Sequence, residues 1–342
     1  MKKLTLILSA LLLLVFSACG DDDNPTPDCG DYDNSTPASC ASSCTDEEEL
    51  IANGGFGDDV TIIQHCQYAY LSGIDQAYPT HSNWDELTNS PCGNFRIAYE
   101  DGDAYQRLAE ITPDPLDDTN SVIHLIVTEP HINGQDIKKG RCQLNFYGSN
   151  CLQEYYQTTK VFLPSANMEH LKTYENEVGF LTIFEVWNNK NWGNNVSNPF
   201  RIKVSLYKEP GTGNDFFFKV QGEKMPVWGN DVVLWEEINF TYPVPLGEWF
   251  EMELYLLEGK GNEGRFYMAI TDDNNNKTLL FDINNHTVHP NENDPDGFKH
   301  INPLKLYSGE HIINHMKDGG YPLEIYWDDL ELFRNKVPET IY

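Results

Sequence analysis

Helical periodicity is almost missing from this chain of 342 residues, and that absence narrows its possible folds more than any other feature. Apolar and polar residues instead alternate in short runs at 121–127, 141–146, 157–163, 179–187, 200–207, 216–221, 249–257, 264–271, 278–283, 304–307 and 323–333. Clusters of Gly, Asn, Asp and Pro separate them, and a period of two between turn residues marks half-buried strands. Only 166–175, with Ser165 placed to cap it, and 311–317 have the spacing of short helices. At 40% hydrophobic and 12% aromatic, the chain can bury a large core. No break divides the runs and no repeat relates them. The prediction is an all-β chain forming one antiparallel two-sheet sandwich.

Charge excludes a class of partner. Asp and Glu number 53 against 23 Lys and Arg, a net charge of -30, and the excess persists beyond residue 50. Such a surface repels phosphate backbones, so no nucleic acid is expected to bind.

The beginning of the chain carries a different signal. Lys2 and Lys3 precede a largely apolar run from Leu4 to Phe16, followed by Ser17-Ala18-Cys19. That run suits a signal peptide and is short for a membrane span. The small residues before Cys19 resemble the lipobox of bacterial lipoproteins, with Phe16 where leucine is usual. The resemblance implies cleavage after residue 18 and lipidation of the Cys19 thiol, palmitate among the acyl chains. Several such chains anchor a protein stably. Gly20-Asp21-Asp22-Asp23 resembles the acidic export signal of surface lipoproteins in the Bacteroidetes. The expected organisation is a signal peptide over 1–18, an acidic flexible tether over 19–47 and a single sandwich domain over 48–342. This places a monomer on the outer membrane, held through its lipid and exposed at the cell surface. Ordinary secretion, with a cysteine at 19 by chance, is the plainer alternative.

Eight cysteines suit an oxidising compartment. Without Cys19 there remain Cys29, Cys40, Cys44, Cys66, Cys92, Cys142 and Cys151, an odd number, so one stays free or pairs between chains. Cys142 and Cys151 flank Tyr147-Gly148-Ser149-Asn150 and could staple a hairpin. Cys40 and Cys44 could pair with each other or with Cys29. No spacing suggests zinc. Asp272-Asp273-Asn274-Asn275-Asn276, Asp294-Pro295-Asp296 and Asp328-Asp329 could hold a structural Ca²⁺, against the simpler reading of solvated turns. No cofactor is otherwise implied.

Four segments occur in a recognisable order: Gly140-Arg141-Cys142-Gln143-Leu144-Asn145; Tyr155 to Pro164, rich in Tyr and Thr; Pro245-Leu246-Gly247-Glu248-Trp249; and Leu323 to Phe333, with Asp328-Asp329 inside it. This order resembles the concanavalin-A-like β-jelly rolls of secreted polysaccharide lyases, such as the alginate, glucuronan and heparin-I lyases. The resemblance spans roughly residues 50–335. Glu49-Leu50-Ile51-Ala52-Asn53-Gly54-Gly55-Phe56 likewise looks like the first strand of extracellular carbohydrate-active sandwiches. It implies a bent sandwich whose concave sheet holds a sugar chain.

Residues two apart on a strand share a face. Arg141, Gln143 and Asn145 therefore line up, with Cys142, Leu144 and Phe146 directed at the core. Glu185 shares a face with Trp187, Arg201 with Lys203, and Lys305 with Tyr307. Rings stack on sugar faces, and Arg or Lys pairs with uronate or sulfate, so these nine positions are candidates for a groove.

Elimination next to a uronate needs its carboxylate neutralised, a base for the C5 proton and an acid for the leaving oxygen. By resemblance, Arg141 and Gln143 take the first task, with Gln143 where the family has Glu. Tyr307 takes the proton work, with Lys305 and Pro303 where the family has Gly and Lys. Glu185 and Trp187 stand where the family has Gln and His. A partner base is then sought at His124 or His300. Glu185, Trp187, Arg201, Lys203 and Lys305 are the expected substrate-binding residues. The expected activity is a lyase on an acidic, uronic-acid-containing polysaccharide. Two alternatives stand beside it: a non-catalytic surface glycan-binding protein, and a glycoside hydrolase drawing on Glu185, Glu236, Glu237 and Glu251.

Overall fold

The computed structural model describes residues 47–339 except 58, 66, 79, 89–92, 135, 149–151, 189–197, 228–229 and 296. The expected signal peptide, Cys19, nearly all of the expected tether, Cys29, Cys40, Cys44, Cys66, Cys92, Cys151, Trp192, Trp228 and Asp296 lie outside the described residues.

In chain order the strands are β1 (Glu49–Gly54), β2 (Thr61–Gln64), β3 (Tyr68–Ser72), β4 (Gly93–Ala98), β5 (Arg107–Pro113), β6 (Ser121–Val127), β7 (Ile132–Asn133), β8 (Lys138–Gly148) and β9 (Glu154–Phe162). They continue as β10 (Leu181–Asn188), β11 (Phe200–Tyr207), β12 (Phe217–Val227), β13 (Asn230–Pro243), β14 (Trp249–Leu257), β15 (Arg265–Thr271), β16 (Lys277–Asn284), β17 (Phe298–Gly309) and β18 (Leu323–Arg334). The helices are α1 (Trp84–Thr88), α2 (Ser165–Leu171) and α3 (Glu310–Asp318).

Among the described residues the strands form two antiparallel sheets. The eight-stranded sheet runs β16-β15-β14-β9-β18-β6-β5, with β1 on β18. The ten-stranded sheet runs β13-β12-β11-β10-β17-β8-β4-β3-β2, with β7 on β8. The chain is the expected all-β, antiparallel two-sheet sandwich. Strands adjacent in space are often distant in sequence, because the chain crosses repeatedly between sheets.

One core lies between the sheets, and Leu144, Phe146, Phe184, Val204, Leu254, Ile325 and Trp327 all belong to it. Full burial of such a side chain contributes roughly 1.5–3 kcal/mol. Cys142, Leu144 and Phe146 point inward from β8, as their alternation requires. Burial at 0% exposure leaves Cys142 a free thiol, donating weakly to the Leu108 carbonyl at 3.4 Å. The proposed staple to Cys151 is thereby corrected, since Cys142 is directed into the core and not across a hairpin. At Gly222 the indole of Trp235 lies so close that an added Cβ would sit 2.2 Å from it, so β12 needs glycine there.

A bulge shapes the strand that matters most. Register between β17 and β8 shifts between Ile301 and Leu304, around Pro303, which has no N–H to offer the ladder. The extra residue lets His300 and Asn302 share a face with Lys305 and Tyr307. Helix α2 departs from expectation at both ends: Pro164 is the N-cap, Ser165 is the first helical residue and makes no cap, and the helix stops at Leu171.

Candidate functional site

The ten-stranded sheet turns one face to the core and carries polar and aromatic side chains on the other. Register brings Tyr307 opposite Arg141 on one side and Thr182 on the other. Glu185 stands opposite Lys203 and Asn302, and Arg201 opposite Trp187 and Glu223. A cavity of about 540 Å³ opens over this tract, lined among others by Glu100, Lys139, Arg141, Phe180, Glu185, Arg201, Lys203, Asp231 and Tyr307.

Its upper layer centres on the Tyr307 ring. The Arg141 guanidinium carbon lies 5.6 Å from the ring centroid, Lys139 Nζ 5.9 Å and Lys305 Nζ 5.0 Å. Phe180 meets the same ring edge-on at 4.8 Å. Arg141 pairs with Glu100, a residue held at φ +76°. Lys139 also lies 5.9 Å from the Phe180 centroid. Among the described residues no carboxylate pairs with it.

The lower layer is a buried ionic network. Lys305, at 0% exposure, donates to Asn302 Oδ1 at 2.8 Å and approaches Glu185 at 3.3 Å. Glu185 accepts from Trp187 Nε1 at 2.6 Å and lies 4.0 Å from Arg201. Arg201 bonds Glu223 at 2.6 Å and Asp231 at 2.5 Å, and Lys203 reaches Glu223 at 2.7 Å. On the other side, Asn302 Nδ2 donates to Asn145 at 2.7 Å and contacts His300 Nε2 at 3.1 Å. Gln143 Nε2 donates to Asn145 at 2.5 Å, while Gln143 Oε1 and His300 Nδ1 have no partner.

Charge follows from this packing. Burial pushes the Glu185 carboxyl upward, but Lys305, Arg201 and the Trp187 N–H outweigh it and hold it at about 2. Burial, reinforced by Arg141 and opposed by Glu185, pulls Lys305 down to about 7. His300 falls to about 3, through burial and then Lys305. Burial raises the Tyr307 phenol, with Arg141 opposing. Lys139 is lowered, by burial first and then by Arg201. The groove thus holds a protonated phenol beside an ammonium made easier to deprotonate.

The structure brings Arg141, Glu185, Arg201, Lys203 and Tyr307 onto one cavity wall. Gln143, Trp187 and Lys305 share their face but lie beneath it, at 1%, 2% and 0% exposure. Of the two histidines considered as bases, His124 stands on β6 in the eight-stranded sheet, and His300 is buried in the lower layer. Glu251 likewise belongs to the eight-stranded sheet, and Glu236 is bound by Lys219 and Gln221. Glu251 and Glu236 therefore do not converge with Glu185.

No group of three metal-ligating side chains occurs among the described residues. Asp272 instead closes its own turn, accepting from the N–H groups of Asn274 and Asn276 at 2.9 Å each. Asp328 takes a hydrogen bond from Asn120, and Asp329 takes one from Tyr78 and pairs with Lys160.

No family description matches the chain, and no curated protein does. Several solved structures are similar in outline. The alginate lyase Aly36B is 12% identical, with 84% of this chain and 98% of that one covered at a TM-score of 0.45. An endo-β-1,4-glucuronan lyase from the fungus Trichoderma reesei is 12% identical, with 68% and 89% covered at 0.43. A marine alginate lyase from Aplysia kurodai is 7% identical, with 76% and 96% covered at 0.46.

Lys139, Asn302 and Glu223 are site residues that the sequence reading did not name. Lys139 had a signal: carrying the alternation of Arg141, Gln143 and Asn145 two residues back reaches it. Asn302 had none, because the Pro303 bulge breaks the period there.

Proposed function

We propose that the groove binds an acidic polysaccharide and cleaves it by β-elimination next to a uronic acid. The observation that carries this reading is the grouping of Tyr307, Arg141 and Lys139 on one cavity wall, with the Tyr307 ring within 6 Å of both cations. Arg141 neutralises the uronate carboxylate, which acidifies the C5 proton. Lys139, whose ammonium is disfavoured by burial, takes that proton as the free amine. The electron pair forms the C4–C5 double bond, the bond from C4 to the glycosidic oxygen breaks, and the Tyr307 phenol protonates the leaving oxygen. Glu185 is held ionised and takes no part in proton transfer.

The test is the ultraviolet absorbance of the unsaturated product on a panel of uronic polysaccharides. The wild-type protein is expected to generate it, and Tyr307→Phe to lower kcat roughly 10³-fold without loss of fold. Full turnover in Tyr307→Phe overturns the assignment. Retention in polysaccharide-containing gels with no product from any polymer overturns cleavage and leaves glycan binding.

A further inference from the structure

Beyond the cavity the same sheet face continues towards β4 and β3, and there it turns aromatic. Arg96 on β4 stands opposite Asn145. Its guanidinium carbon lies 5.2 Å from the ring centroids of both Tyr68 and Tyr147, and Nη2 donates to Tyr147 Oη at 2.9 Å. Tyr147 in turn accepts from Asn145 Nδ2 at 2.9 Å and stacks on His300 at 4.8 Å. The patch is therefore continuous with the polar tract that ends at Tyr307. Tyr68 meets Tyr70 edge-on at 5.4 Å, and all of Tyr68, Tyr70, Arg96 and Tyr147 are half-buried.

Arg96 differs from Arg141, Arg201, Lys203 and Lys305, each of which faces a carboxylate. Among the described residues none pairs with Arg96, and its Nε has no hydrogen-bond partner. A guanidinium has five N–H donors, so most of this one's capacity is unused. Two flanking rings hold it in place, which lowers the ordering penalty of binding an anion. A carboxylated sugar matches both features: its carboxylate suits the guanidinium fork, and its apolar ring face suits a phenol ring. From Arg141 to Tyr147 along β8 is about 20 Å at the strand rise, so a chain reaching both ends spans several sugars.

We propose that Arg96, Tyr68 and Tyr147 form a distal subsite for a carboxylated sugar several residues from the cleavage point, so that the groove favours long chains over short oligomers. This rests on the reading of the groove as a polysaccharide site. The experiment measures KM and kcat separately on a uronate polymer and on its short oligomers, for wild type, Arg96→Ala and Tyr68→Leu. Arg96→Ala is expected to raise KM for the polymer about tenfold, the scale of one lost charge-assisted contact, and to raise it less on oligomers too short to reach β4. Tyr68→Leu shifts the same ratio in the same direction, and guards against a folding defect in the first variant. Equal changes on long and short substrates, or none, overturn the subsite. Should wild type cleave no uronate polymer, the lyase reading falls while the subsite is still tested, by calorimetric titration of polymer into wild type and Arg96→Ala. About tenfold weaker binding supports it, and an unchanged Kd overturns it.

Discussion

Lys208 and Lys305 both have side chains at 0% exposure, yet their charges are held in opposite ways. Lys208 follows β11, and its Nζ donates to the backbone carbonyls of Gly211 at 2.7 Å, Tyr174 at 2.8 Å and Glu209 at 3.0 Å, with Asn176 at 3.4 Å. Lys305 is met instead by side chains: Asn302, Glu185 and the face of Tyr307. Backbone carbonyls cannot rotate away or titrate, so the first ammonium acts as a fixed clasp between residues 174–176 and 209–211. Side-chain partners can be exchanged or protonated, so the second sets the electrostatics of the groove floor. Burial alone does not distinguish a structural charge from a functional one. The nature of the partners does.

The largest effect expected from this contrast is on stability. Lys208→Met removes the donor from a cage of partly buried backbone carbonyls, which costs about 1–3 kcal/mol. The urea midpoint should fall accordingly, while KM for polymer stays unchanged in the fraction that folds. A loss below about 1 kcal/mol would show that water replaces the ammonium and that the clasp is not structural.

A middle-sized effect concerns pH and Lys305. Burial lowers Lys305 from its ordinary value to about 7, so the folded chain releases a proton that the unfolded chain still binds. Between that pH and the ordinary lysine value, stability therefore rises with pH, by up to about 1 kcal/mol per unit for this residue. Lys305→Met should remove that increment from the wild-type profile of unfolding free energy against pH. Superimposable slopes for wild type and Lys305→Met would mean that Glu185 keeps the ammonium charged throughout.

Legibility in the sequence follows the same division between pattern and depth. β6, β11 and β14 match their predicted bounds because their alternation is unbroken. β17 was readable only at 304–307, since the Pro303 bulge shifts the phase and hides His300 and Asn302. β2 to β5 precede the first clear run, and short, partly exposed strands such as Thr61–Gln64 carry too little contrast to read. Arg96 was lost with them. For the site, period two was enough to put Arg141, Glu185, Arg201, Lys203 and Tyr307 on one face. It could not say how far each lies below the surface, because that depends on neighbours from other strands. Trp187 and Gln143 were therefore expected at the groove surface and lie under it.

Trp187 provides the finest test of the comparison, because it perturbs the side-chain cage of Lys305 without touching either charge. Its Nε1 donates to Glu185 at 2.6 Å, and its ring lies 5.2 Å from the Arg201 guanidinium carbon. Trp187→Phe keeps an aromatic ring against Arg201 but deletes the donor, at a cost of about 1 kcal/mol. Glu185 then leans more on Lys305 and Arg201, which draws the Lys305 proton-release step towards higher pH. The stability increment assigned to Lys305 should move upward on the pH axis, while Lys208, with no side-chain partner to lose, should show no change. An unshifted step in Trp187→Phe would mean that the indole is only packing, and that Glu185 and Lys305 form a closed pair indifferent to their neighbours.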